Sequence, residues 1–209
     1  METTYLDILK PDDWHVHLRE GKILPSVFPF TYNNFGSALI MPNLDTPVTN
    51  ISLAETYYNN ICKQIPEGIK FTPNMTIYLT NHLSKQEIKK ISAHKCIKAI
   101  KMYPKGATTN SQSGITDFED FYYLFELMEE NGVVLSIHGE VTDEKVDVFE
   151  RECVFLEKVL TKIIKQFPSL KIVLEHITSV DAVKFINEQN MIAATITVHH
   201  LMVNRNIML

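Results

Sequence analysis

Glycine is scarce in this sequence, seven in 209 residues, and no glycine-rich phosphate loop follows the first strand-like run. That weakens a nucleotide-binding version of an open α/β sheet. Cysteine is scarcer still. Cys62, Cys96 and Cys153 are odd in number, far apart and outside metal-type spacing, so they read as reduced thiols packed in a cytosolic protein. Clustered positive charge is missing as well. Twenty Lys and Arg stand against twenty-five Asp and Glu, a formal charge of −5. No basic cluster exceeds the pair Lys89-Lys90, so nucleic acid finds no electrostatic footprint. No apolar run approaches the ~20 residues of a membrane span. Residues 1–7 lack the positive start and apolar stretch of a signal peptide. These absences predict a cytoplasmic protein that binds neither membrane nor nucleic acid.

What is present is a balanced globular composition, 45% hydrophobic and 22% charged, with one sizeable core expected over residues 1–209 and nothing marking a second domain. Strand-like runs recur at 12–18, 37–42, 71–79, 97–103, 133–138, 171–176 and 192–198. Several are almost continuously apolar, as strands covered on both faces of a parallel sheet are. Helix signals lie between them. Ser52 with Glu55 and Ser84 with Glu87 fit the capping box, and 117–131 stops at Asn131-Gly132, a good C-terminal breaker. This alternation predicts a parallel α/β fold. The candidate reactive residues fall at or beyond the C-terminal ends of different strands, which favours a (β/α)8 TIM barrel over an open sheet. Seven strands can be found rather than eight, so the barrel is expected to be incomplete.

The chemistry concentrates in a few positions. His15 and His17, in Asp-Asp-Trp-His-Val-His-Leu-Arg, lie two apart, which on a strand puts both imidazoles on one face; Arg19 is two residues further on. A lone His-x-His is a weak motif, and two partly exposed imidazoles are its bland reading. His138 and His176, each ending its own strand, add weight, because converging neutral imidazoles are costly unless something binds them. Lys101 lies inside an apolar strand, where an ammonium must be paired or must snorkel out. A protonated amine cannot ligate a metal. An amine that has reacted with carbon dioxide becomes a carbamate, whose two oxygens can bridge cations ~3.5–4 Å apart.

At these positions the sequence resembles the cyclic amidohydrolases of the metal-dependent hydrolase superfamily, and within them the monofunctional bacterial-type dihydroorotases. The matching stretches are Pro-Asp-Asp-Trp-His-Val-His-Leu-Arg (11–19), Met-Pro-Asn-Leu (41–44), Lys-Met-Tyr-Pro (101–104), Ala-Thr-Thr-Asn-Ser (107–111), His-Gly-Glu-Val-Thr (138–142), Glu-His-Ile-Thr (175–178) and His-Leu-Met-x-Asn-Arg-Asn (200–206). They run in order along nearly the whole chain. The resemblance implies two zinc ions. His15 and His17 would hold one, His138 and His176 the other, and N6-carboxylated Lys101 would bridge them. It further implies that Arg19 and Asn43 bind a substrate carboxylate, and that Thr108 and Thr109 sit on a mobile loop closing over it. The implied reaction is the reversible hydrolysis of dihydroorotate to N-carbamoyl-L-aspartate in pyrimidine synthesis, by an enzyme expected to be a homodimer at full length.

The family's catalytic aspartate lies at the end of an eighth strand. No catalytic residue is therefore expected within this chain, that aspartate being expected beyond Leu209, and the sequence reads as C-terminally truncated. The alternatives are an inactive fragment, a non-catalytic barrel-derived assembly module, or another cyclic amidase such as a hydantoinase. Glu140 and Glu175 flank the expected ligands, and supporting or purely structural roles are equally open to them. His199 and His200 are expected to close the last strand with at most one facing inward; no role is assigned to His200. His82 and His94 read as surface residues without supporting neighbours, and Trp14 reads as packing.

Overall fold

The computed structural model describes residues 5 and 7–208. Most of the segment read as lacking a leader (1–4 and 6) and the final Leu209 lie outside the described residues. Seven strands make one parallel sheet in sequential order: β1 (Asp12–Val16), β2 (Ser37–Ile40), β3 (Thr72–Tyr78), β4 (Ile97–Met102), β5 (Val134–His138), β6 (Ile172–Glu175) and β7 (Ile192–Ala194). Helices α1 (Leu24–Asn34), α2 (Ile51–Cys62), α3 (Lys85–Ser92) and α4 (Tyr122–Asn131) connect the first five. Between β5 and β6 run α5 (Arg151–Phe155) and α6 (Thr161–Gln166), joined by a π-helical turn over Leu156–Leu160. Then follow α7 (Val180–Asn187), α8 (Val198–Met202) and α9 (Arg205–Met208). Each strand pairs only with its neighbours, so the sheet is an incomplete barrel, open between β7 and β1 among the described residues. No helix among them is long and apolar enough to cross a membrane.

All seven expected strands are present, because the sheet is covered on both faces. Ile40, Ile77, Ile100, Leu135, Ile137 and Leu174 are fully buried on five successive strands, which is why those segments read as apolar without alternation. The turn chemistry is legible in most places. Ser84 and Glu87 form the expected capping box, and Gly132 ends α4 at φ +65°, a left-handed position that favours glycine. The stretch 117–131 enters its helix through a 3-10 turn over Glu119–Phe121.

Four expectations are corrected. The cap of α2 is Asn50, whose side chain accepts from the Leu53 amide at 2.9 Å, and Ser52 lies one residue inside the helix. The last strand stops at Ala194 rather than 198. His199 and His200 consequently lie on α8, their ring centroids 4.4 Å apart, and the opposite-face argument for a strand does not apply to them. Trp14 is 55% exposed and is not a packing residue.

Candidate metal centre

The C-terminal ends of four strands bring the expected ligands to one place. His15 is the fourth residue of β1 and His17 follows its end; Lys101 is next to last in β4, His138 is last in β5, and His176 follows β6. The rings of His15 and His17 lie 5.0 Å apart between centroids, those of His15 and His176 5.2 Å, and those of His138 and His176 4.6 Å. The Nε2 atoms of His15 and His17 face each other at 3.1 Å.

Lys101 lies beneath them. Its side chain is wholly buried and does not snorkel outward; instead its Nζ is paired with the Glu175 carboxylate and stands 4.7 Å above the centre of the Tyr103 ring. Glu175 also approaches His15, with Nδ1 to Oε2 at 3.1 Å. The second carboxylate, Glu140, places Oε1 2.6 Å from His138 Nε2. Glu175 is thus the residue that sequence reasoning undervalued. Its signal was an acid ending the apolar run Lys-Ile-Val-Leu, where only a paired carboxylate is tolerated.

Burial dominates the electrostatics. It pulls His17 down to about 3, helped by the positive charges of His15, Arg19 and Lys101, and pulls His176 down to about 2, helped by Lys101 and His138. Both imidazoles are therefore neutral at ordinary pH, the form that ligates metals. Burial also lowers the pKa of Lys101, although Glu175 pulls it back up. Burial raises Glu175, but Lys101 and His15 outweigh it and hold the acid at about 2.

The donor set fits a cation. His15, Glu175 and His176 each bring a ligand atom within 4.8 Å of the others. Nδ1 of His17 is buried without a hydrogen-bond partner, as are the hydroxyls of Tyr78, Tyr103 and Ser136 and Oε1 of Glu175. Tyr78 and Ser136 are the register partners of Lys101 on the two adjacent strands. So many orphaned polar atoms around one lysine mark a site built to hold something more than the side chains present.

The remaining expected residues gather at the rim. Arg19 is not on the strand face expected for it. It adopts φ +60° beyond the end of β1, its carbonyl accepts from Tyr57 Oη at 2.6 Å, and its Nη1 donates to the Asn43 carbonyl at 3.1 Å. A non-glycine residue held in this region is strained, and such strain collects at functional sites. Asn43 is buried, and its Nδ2 donates to the Thr109 carbonyl at 2.9 Å. The loop bearing Thr108 and Thr109 is folded down onto it, with Asn110 Nδ2 donating to the Asn43 carbonyl at 3.2 Å and Ser111 Oγ to the Thr108 carbonyl at 2.6 Å. His82 is exposed, but His94 has neighbours after all: Glu55 Oε1 at 3.3 Å and Cys96 Sγ at 3.6 Å.

No family model matches the chain. Among curated proteins it is 49% identical over 207 residues, 99% of its length, to a protein named dihydroorotase from Shewanella baltica strain OS223. The chain is related to the dihydroorotases. It spans 60% of the length of that relative. Among solved structures it superposes on the dihydroorotase of Campylobacter jejuni with a TM-score of 0.87 and 34% identity, covering 95% of this chain and 57% of that one. It also superposes on an L-hydantoinase from Arthrobacter aurescens with a TM-score of 0.71, covering 94% of this chain and 49% of that one; at 13% identity this likeness is one of fold. The fold shared with the Campylobacter jejuni dihydroorotase and the Arthrobacter aurescens L-hydantoinase is therefore the α/β barrel, with seven strands of it present among the described residues.

Proposed function

We propose that this centre is that of a dihydroorotase, which interconverts dihydroorotate and N-carbamoyl-L-aspartate. The carrying observation is the convergence of His15, His17, His138 and His176 over a fully buried Lys101. It occurs in a chain 49% identical to a dihydroorotase along nearly its whole length.

The four histidines would hold two zinc ions, with Lys101, carboxylated on Nζ, shared between them. When bound, such ions acidify a water and polarise a ring carbonyl. Lys101 must first give up its proton, which its burial favours, and its pairing with Glu175 must loosen for the new carboxylate to form. The orphaned hydroxyls of Tyr78, Tyr103 and Ser136 then supply donors for a group with more acceptor oxygens than an ammonium. Arg19 offers the substrate carboxylate a forked pair of donors. Asn43 retains one amide hydrogen for the same task after donating to Thr109. Thr108 and Thr109, on the loop tied to Asn43, close the site and exclude water. No residue of this chain is assigned the proton donor for the departing ring nitrogen.

The test measures zinc bound per chain and hydrolysis of dihydroorotate, with Lys101→Ala as the control. Two zinc equivalents in the parent, and their loss in the control together with any turnover, support the reading. Hydrolysis of a hydantoin but not of dihydroorotate would replace it with a different cyclic amidase. A folded parent chain that binds no zinc overturns it.

A further inference from the structure

Glu152 on α5 touches none of the expected ligands, yet it holds the backbone that follows one of them. Its Oε1 accepts from the Ser179 amide at 2.8 Å, the Ser179 hydroxyl at 2.6 Å and the Thr178 amide at 3.1 Å. Its Oε2 accepts from the Thr178 amide at 3.0 Å and the Thr178 hydroxyl at 3.3 Å. Thr195, just past β7, takes the two preceding amides, His176 on its hydroxyl at 2.8 Å and Ile177 on its carbonyl at 3.0 Å. The amides of residues 176–179 are thus all committed, two to each of two separate elements.

That degree of restraint has a reason. His176 has φ +44°, a left-handed conformation that is strained for a non-glycine residue and persists only where the surroundings over-determine it. The start of α5 also reaches the other side of the pair: the Val141 amide, three residues past His138, donates to the Arg151 carbonyl at 3.3 Å. One turn of helix therefore fixes the backbone behind both His138 and His176, whose rings it leaves 4.6 Å apart. No such tie runs from Glu152 to His15 or His17, which are carried by β1 on the far side of the centre.

We infer that Glu152 is the positioning residue of the His138–His176 half of the site, setting the divalent-metal affinity of that half and leaving the His15–His17 half alone. The inference rests on the metal-binding reading above. A carboxylate that served only to cap α7 would affect stability without separating the two halves.

The experiment uses the whole 209-residue chain, stripped with a chelator and titrated with Co(II), reading stoichiometry by calorimetry and the visible spectrum of the bound ion. The parent is expected to take two equivalents. Glu152→Ala is expected to keep one at parent affinity and to weaken the second by about 10- to 100-fold, the usual range for losing an outer-shell support. Glu152→Gln retains an acceptor oxygen and should fall between. Thr195→Val, which removes the hydroxyl holding the His176 amide from the opposite side, should weaken the same equivalent, and it carries the test if Glu152→Ala does not fold. Folded variants that bind both equivalents like the parent, or that weaken both equally, overturn the inference while leaving the metal-binding reading standing. A parent chain that binds no Co(II) overturns the two together.

Discussion

The Lys101 ammonium and the Glu175 carboxylate meet beneath the histidines from strands separated only by β5, and neither side chain reaches solvent. An ion pair so placed is held by its own mutual attraction, and removing one partner leaves a buried charge with nothing to offset it. Lys101→Met should therefore destabilise the metal-free chain by about 3–5 kcal/mol. Glu175→Gln should cost less, because Lys101 can shed its proton, a loss that burial already favours. Combining the two should recover much of the Lys101→Met penalty. Urea unfolding of the three variants measures all of this; equal penalties for the two single changes would show that the pair is not the source.

The neutral histidines make a second expectation, about pH. His17 and His176 titrate at about 3 and about 2 when folded, against ~6.5 when unfolded. Between those values the unfolded chain binds more protons, so stability rises with pH and is lost as pH falls from ~6.5 toward 3. Each histidine contributes a slope of up to ~1.4 kcal/mol per pH unit. Glu175, held at about 2 by Lys101 and His15 against the rise that burial imposes, adds a loss of the same sign below its unfolded value of 4.5. Urea midpoints of the metal-free chain from pH 7 to 4 should fall steeply, and the fall should flatten in a His17→Asn, His176→Asn double variant.

The sequence is transparent where packing leaves a local signal and opaque where a contact joins distant strands. The strands could be found because residues such as Ile77, Ile100 and Leu135 are buried in a sheet covered on both faces, leaving short apolar runs bounded by helix and turn signals. His15, His17, His138 and His176 could be found because each stands at a strand end. Their partners could not. That Glu175 pairs with Lys101 depends on the order of strands around the sheet, and the two are 74 residues apart in sequence. The end of β7 was overrun because Ile-Thr-Val continues the β-branched pattern, whereas Thr195 instead turns its hydroxyl and carbonyl to the His176 segment. Arg19 departs from the strand for a similar reason: its carbonyl is taken by Tyr57 from α2, a contact with no local signal.

The loop over the site should respond to one atom pair. Asn43 Nδ2 donates to the Thr109 carbonyl, while the bonds that Arg19 and Asn110 make to Asn43 use its backbone carbonyl and survive a side-chain change. Asn43→Ala should therefore loosen the loop without unfolding the rim. Losing one such hydrogen bond is worth ~1 kcal/mol, so amide exchange over residues 105–114 should quicken by about fivefold, with α2 and α3 unchanged. Uniform acceleration across the chain would mean that Asn43 supports the fold at large.

Gly139 gives the most local of these tests, since it follows His138 directly. A Cβ built there would collide with Leu174 Cδ1 and lie 3.5 Å from Phe155 Cδ1, both side chains being fully buried. Leu174 cannot swing away freely inside a packed core, so Gly139→Ala should cost about 1–3 kcal/mol through overpacking. Leu174→Ala alone should cost more, about 2–5 kcal/mol, through the cavity it leaves. Together they should cost clearly less than the sum, because the new methyl occupies part of the space that Leu174 vacates and neighbours in contact are not additive. Additive penalties in urea unfolding would place the constraint at Gly139 in its backbone and not in the Leu174 side chain. A sub-additive penalty, together with a Co(II) equivalent that is weakened in Gly139→Ala and recovered in the double variant, would show that close strand packing behind His138 serves to hold the ligand as well as the fold.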